Sequence, residues 1–115
     1  MAAASVLKKF FRTKQEAIAD INAEGFWPIS WVDGPGETYA PHYHRGDERL
    51  YLVSGSMEFE DVGEGKVYRL EPGDKLSLPA GTVHRTVTRE GAAYIIAVRD
   101  LVPLAESALP ADTKP

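Results

Sequence analysis

The chain has no cysteine, which excludes a disulfide framework, a thiolate nucleophile and a cysteine-based zinc site, and leaves the redox compartment unreadable from thiol usage. Positive charge is also short. Thirteen Lys and Arg face 17 Asp and Glu, a formal net charge of −4, so there is no field of the kind that holds nucleic acid or an anionic lipid surface. No apolar run approaches membrane-spanning length. The opening stretch from Met1 to Phe11 has no basic residue ahead of its apolar part, while Lys8, Lys9 and Arg12 come late. That order does not fit a secretory signal and points to a cytoplasmic protein. With 115 residues the chain can enclose one core but not a cofactor domain and a substrate domain together, so any chemistry must sit inside a single unit.

Turn residues and short apolar runs dominate what is present. Residues 1–12 read as a loose arm. Thr13-Lys14-Gln15-Glu16 then offers a capping box, with Ala17, Ile18 and Ile21 at helical spacing behind it and Gly25 as the stop. From Phe26 onward, runs rich in Val, Ile, Tyr, Phe and Trp are broken every few residues by Gly, Pro or Asp, the pattern of an antiparallel sandwich or barrel. Strands are expected over residues 26–33, 37–40, 48–53, 56–61, 66–70, 75–78, 83–88 and 92–99. The stretch 62–65 reads as a hairpin loop and Glu71-Pro72-Gly73-Asp74 as a turn. This divides the chain into an arm and short helix (1–25), a barrel (26–102) and a tail (103–115) too poor in apolar surface to pack independently.

All three histidines fall in two tight settings: His42-Tyr43-His44 with Glu48 four residues on, and His84 after Pro79-Ala80-Gly81-Thr82-Val83. On an extended strand alternate side chains share a face, so His42 and His44 point the same way about 7 Å apart. Glu48 follows a turn at residues 45–47 and can fold back toward the same point. Three imidazoles and a carboxylate are borderline ligands suited to Fe, Mn, Co, Ni, Cu or Zn, and four protein ligands around an octahedral ion leave two positions open.

These residues sit within two longer patterns. The first reads Gly36, five residues, His42, one residue, His44, three residues, Glu48, six residues, Gly55; the second reads Gly73, five residues, Pro79, one residue, Gly81, two residues, His84. The pair resembles the two motifs of the cupin family. Thr88 stands where that family usually has Asn, and the 17 residues between Gly55 and Gly73 fit the short spacing of microbial members. The resemblance implies an all-β fold, an antiparallel double-stranded β-helix (jelly-roll or cupin barrel), here with a short N-terminal helix. It also implies a divalent transition metal held by His42, His44, Glu48 and His84, with Glu48 either a fixed ligand or a general base.

If the ligands face inward, a period of two carries that orientation along each strand unless a bulge intervenes. Thr38 and Ala40 then join the histidines inside, Leu50 and Leu52 follow Glu48, and Thr86 and Thr88 follow His84. Met57 with Phe59 and Leu76 with Leu78 complete the apolar set. Of these, Leu50, Leu52, Met57, Phe59, Leu78 and Thr86 are the candidate substrate contacts. Tyr39, Tyr43 and Tyr51 fall on the opposite parity, away from the site. No inward position is basic, which disfavours phosphosugars and acidic sugars and leaves a small, largely uncharged organic molecule as substrate. Two functional classes fit: a metal-dependent enzyme, with a dioxygenase preferred over an isomerase or lyase, or a non-catalytic binding module with a structural metal. The aromatic run Phe26-Trp27-Pro28-Ile29-Ser30-Trp31 is too apolar to leave in water and predicts a homodimer.

Overall fold

In the computed structural model, which describes residues 3–99, the turn-broken part of the chain folds as two antiparallel sheets. The elements are β1 (Ser5–Leu7), α1 (Lys14–Ala23), β2 (Trp27–Asp33), β3 (Thr38–His42), β4 (Glu48–Gly55), β5 (Met57–Asp61), β6 (Lys66–Leu70), β7 (Lys75–Leu78), β8 (His84–Val87) and β9 (Ala92–Val98). One sheet has the order β1-β7-β4-β9-β2 and the other β3-β8-β5-β6. This is the two-sheet antiparallel barrel with a short helix that the motifs imply. The expected tail, 103–115, lies outside the described residues.

The helix starts where the capping residues put it. Thr13 Oγ1 accepts from the Glu16 amide at 3.1 Å, while the Glu16 carboxylate accepts from the Arg12 amide at 2.7 Å, one residue earlier than a reciprocal box would have it. Ala17 and Ile21 are fully buried and pack with Phe26, Tyr51 and Ile95 on the outer face of the five-stranded sheet. A second cluster, centred on Leu52, Met57, Phe59, Leu70 and Leu76, fills the space between the sheets.

Two motif glycines are required by close approach. A Cβ on Gly55, at φ +81°, would lie 2.0 Å from the Gly91 carbonyl oxygen, and one on Gly73, at φ +98°, would lie 2.9 Å from the Phe11 carbonyl oxygen.

The N-terminal arm is not loose. Ser5, Val6 and Leu7 pair with Ser77, Leu76 and Lys75, adding an edge strand to the larger sheet. Asp74 anchors the residues just after β1: its carboxylate accepts from the Lys8 ammonium, from the Lys9 amide at 3.0 Å and from the Glu71 amide at 2.8 Å. The arm therefore belongs to the barrel, because β7 would otherwise leave a ladder of backbone groups unpaired.

β3 runs two residues further than expected, through His42, and it carries a bulge. Tyr39 opposes Thr86 and His42 opposes His84, so three steps on β3 match two on β8. Pro41, which has no amide hydrogen to give the ladder, lies within the bulge. The extra residue shifts the parity ahead of it: Tyr39 turns inward and Thr38 is exposed, opposite Val87, while Ala40 keeps its expected place in the cavity wall.

Candidate metal site

β3 and β8 lie side by side, so the register that pairs His42 with His84 also brings their rings together, with centroids 4.3 Å apart. His44 sits just past β3, in the loop leading to β4. That loop is tied to the turn ahead of β8: the Gly81 amide donates to the His44 carbonyl oxygen at 2.9 Å, and the Ala80 amide to Asp47 Oδ1 at 2.9 Å. The two halves of the site are thus clasped by backbone contacts. The His44 ring lies 5.0 Å from that of His42 and 4.8 Å from that of His84. One ligand nitrogen from each of the three histidines falls within 4.8 Å of the others.

The tautomers follow from the neighbours. His42 Nδ1 is 2.7 Å from the Ala40 carbonyl oxygen, and His84 Nδ1 is 2.9 Å from that of Thr82. A carbonyl can only accept, so each Nδ1 carries a proton and Nε2 is the ring atom left to face a metal. Burial holds the His84 imidazole down to about pKa 4, so it is neutral at pH 7. Phe59 stacks on His84, with centroids 5.0 Å apart and an interplanar angle of 14°. His42 and His84, each with its Nδ1 fixed by a backbone carbonyl, together with His44 form a donor set that fits a divalent transition metal.

Glu48, on β4, stands beside this trio rather than within it. Its Oε1 is 3.6 Å from His44 Nε2, and burial pushes its carboxyl up to about pKa 7. Sequence spacing grouped it with the histidines as an equal fourth ligand. The structure brings the three histidines together and sets Glu48 against one of them.

Residues 30–99 match the family profile described as Cupin domain, more than half of the chain. The chain belongs to the cupin family. No curated protein matches it. Among solved structures it is similar to a DUF861 family protein from Thermotoga maritima, with 20% identity over 81% of this chain and 96% of that one at a TM-score of 0.59. It is also similar to the polyketide cyclase RemF from Streptomyces resistomycificus, at 23% identity over 65% and 55% of the two chains and a TM-score of 0.58. A third is the DMSP lyase DddQ from Ruegeria pomeroyi, at 26% identity, 66% and 39% coverage and a TM-score of 0.60. The chain spans well under half of that lyase.

Thr88, the departure from the second cupin motif, has a structural task. Its hydroxyl donates to the Ser56 carbonyl oxygen at 2.6 Å and accepts from the Gly91 amide at 2.9 Å, closing the turn between β8 and β9. It does not line the site.

A cavity of about 220 Å³ opens from the histidines, and this cupin lines it with Leu50, Met57, Phe59, Leu76, Leu78 and Thr86, as the alternation predicts. Leu52 is not in its wall; it is fully buried in the core beside Met57 and Leu70. Thr38 is excluded by the bulge, and Tyr39 takes a place in the wall instead. Tyr51 does face away, beneath the helix, with its hydroxyl donating to Asp20 Oδ2 at 2.6 Å. Four further wall residues escaped sequence reasoning: Trp31, Tyr94, Ile96 and Arg49. Trp31 and Asp33 alternate on β2, and Trp31 pairs with Tyr94 on β9, a period-two signal that was available. Among the described residues Arg49 is the one Lys or Arg in the wall, but its guanidinium is held by Glu24 Oε1 at 3.2 Å and the Glu48 carbonyl oxygen at 3.0 Å, and lies 4.9 Å over the Phe26 ring.

Proposed function

We propose that this cupin is a metal-dependent enzyme acting on a small, largely uncharged organic molecule. Three imidazoles converging in the wall of an apolar cavity are the observation that carries this reading. His42, His44 and His84 hold the ion, and Glu48 serves beside it as a weaker fourth ligand that can also accept a proton from substrate. A divalent transition metal bound there supplies Lewis acidity or, if redox-active, reactivity toward dioxygen. Phe59 and the leucines exclude water from the histidine side of the cavity, and the committed Arg49 offers no free cation to a phosphate or carboxylate. Two cupins of related fold are named as a polyketide cyclase and a lyase, which supports enzymatic use of such a barrel. A dioxygenase reaction is preferred, with isomerase or lyase chemistry next. The protein acts in the cytoplasm, and it works as a homodimer through the edge of β2 that no strand covers among the described residues, where Trp27 is 60% and Val32 75% exposed.

Elemental analysis of protein purified without added metal tests the first part: a transition metal near one per chain is expected, and its absence even after incubation with Fe, Mn, Zn, Ni, Co and Cu salts would defeat it. Oxygen uptake by the Fe(II)-loaded protein over a panel of diketones, thiols and phenols tests the second.

A further inference from the structure

One part of the cavity wall has a different character. Trp31, Tyr39 and Tyr94 all line it, and all three turn their polar atoms back onto one buried side chain, Asp33, which is 2% exposed. Asp33 Oδ1 accepts from the Tyr39 hydroxyl at 2.8 Å and from Trp31 Nε1 at 3.1 Å, and Oδ2 accepts from the Tyr94 hydroxyl at 2.8 Å. Trp31 Nε1 also donates to the Tyr39 hydroxyl at 3.2 Å. With these atoms committed, the rings offer the cavity mainly their carbon surfaces.

The electrostatics of this wall are one-sided. Among the described residues, no Lys, Arg or His forms an ion pair with Asp33. The three donors solvate its charge without cancelling it, so a negative potential remains behind the rings. Aromatic faces carry negative charge of their own, and a phenol donating to a carboxylate becomes more electron-rich. Arg49, the nearest cationic part of the wall, is spent on Glu24 and Phe26.

A cation is the group this wall attracts, and its kind can be narrowed. A primary ammonium needs acceptors, and Asp33 lies behind the rings with its oxygens already occupied. A methylated onium group spreads its charge over methyl groups that need no hydrogen bond and fit against ring faces. The Tyr39 ring centroid lies 6.5 Å from that of His42, so one small molecule can touch the rings at one end and reach the histidines at the other.

We infer that the cavity of this protein takes a small molecule bearing a quaternary ammonium or tertiary sulfonium group, seated against Trp31, Tyr39 and Tyr94 with Asp33 behind them. This rests on the proposed function only in taking the cavity as the substrate site, and it narrows a largely uncharged substrate to one with a cationic head.

Titration calorimetry at constant ionic strength, with choline and its neutral carbon isostere 3,3-dimethylbutan-1-ol as probes, decides the matter. Choline is expected to bind on the order of tenfold more tightly than the alcohol. Trp31→Leu, at a position that is 40% exposed, should bring the two within about twofold of each other, and Asp33→Asn should do the same if it folds. Equal or tighter binding of the alcohol to the wild-type protein, no detectable binding of choline, or a choline preference undiminished in Trp31→Leu would each overturn the inference. Metal content measured on the same samples separates the two claims. Metal-loaded protein without choline preference defeats the inference alone, whereas choline preference in a protein that takes up no metal defeats the proposed metal chemistry alone.

Discussion

Phe59 lies nearly parallel to His84, 5.0 Å away, on the neighbouring strand and in register with Thr86. The ring is 1% exposed, so it belongs at once to the core between the sheets and to the wall that aims an imidazole. Phe59→Leu removes the stacking surface while keeping most of the apolar volume. It is expected to destabilise the protein by about 1–2 kcal/mol and to weaken metal binding as well, because His84 loses the plane that fixes its orientation. Denaturant melts with and without metal separate the two effects. A variant destabilised as expected but with unchanged metal affinity would show that the Thr82 carbonyl alone orients His84.

His44→Ala removes one of the converging nitrogens from a loop position outside the strands. The barrel should stay folded, since His44 contributes no strand pairing. Bound metal should fall by at least about tenfold, as expected when a ligand itself is lost. Addition of metal should raise the melting temperature of the wild-type protein and leave that of the variant unchanged, because only a ligand that binds the folded state adds stability. Full metal occupancy in the variant would remove His44 from the site.

How far the site was legible depends on distance along the chain. His42, His44 and His84 were readable because motif spacing and strand alternation both encode their meeting. The bulge at Pro41 was not resolved by alternation alone, and it reverses Tyr39 and Thr38 while leaving His42 in place; the proline itself was the available warning. The partnership of Asp33 with Tyr94 spans 61 positions and has no local signature, so Tyr94's place beside Asp33 emerged only with the fold. β1 escaped for another reason. Three residues are too few to display a period, and what recruits them is an unpaired edge on β7.

Glu48 carries a pH prediction for the metal-free protein. Its carboxyl moves from 4.5 to about 7 on folding because it is buried, so the folded state disfavours the charged form. The resulting penalty is absent below pH 4.5, grows between 4.5 and about 7, and is constant above. Glu48→Gln removes it and should stabilise the metal-free protein by up to about 3 kcal/mol at pH 8, with no gain at pH 4. Because both proteins keep His84, the difference between their pH profiles isolates Glu48. A pH-independent difference would mean that the carboxylate is solvated in the cavity. The same variant should retain metal at reduced affinity if Glu48 is the weaker fourth ligand.

Asp74 titrates in the opposite sense. Burial alone would raise its pKa, but hydrogen bonds from Lys8 and from the Glu71 and Lys9 amides overcome this and hold it below the usual value. A depressed carboxyl contributes stability that is complete above its unfolded pKa and is lost as pH falls through the folded one. Asp74→Asn should therefore cost about 1–3 kcal/mol at pH 7, with the gap closing as both proteins are acidified below pH ~4. Amide hydrogen exchange at Lys9, whose amide donates to Asp74, should quicken in the variant at neutral pH. Unchanged protection there would mean that β1 and the contacts of Phe10 and Phe11 with the Gly73 carbonyl hold the N-terminal segment without Asp74.

The last prediction concerns the edge of the larger sheet. Among the described residues β2 pairs with β9 on one side only, so its other side presents backbone groups without a strand partner there, flanked by Trp27 and Val32. Such an edge is stable in water when charge or proline blocks it, or when a second strand covers it. Pro28 removes one donor, but no Lys or Glu guards the strand from Trp27 to Val32. Antiparallel pairing of two β2 strands about a twofold axis would continue the sheet across two copies and bury both exposed side chains. Sedimentation at micromolar concentration should accordingly give twice the 12.6 kDa chain mass, and Val32→Lys should shift the population to the single chain by placing like charges near the axis. A wild-type protein that sediments only as the single chain removes the dimer while leaving the metal site, which is built within one barrel, untouched.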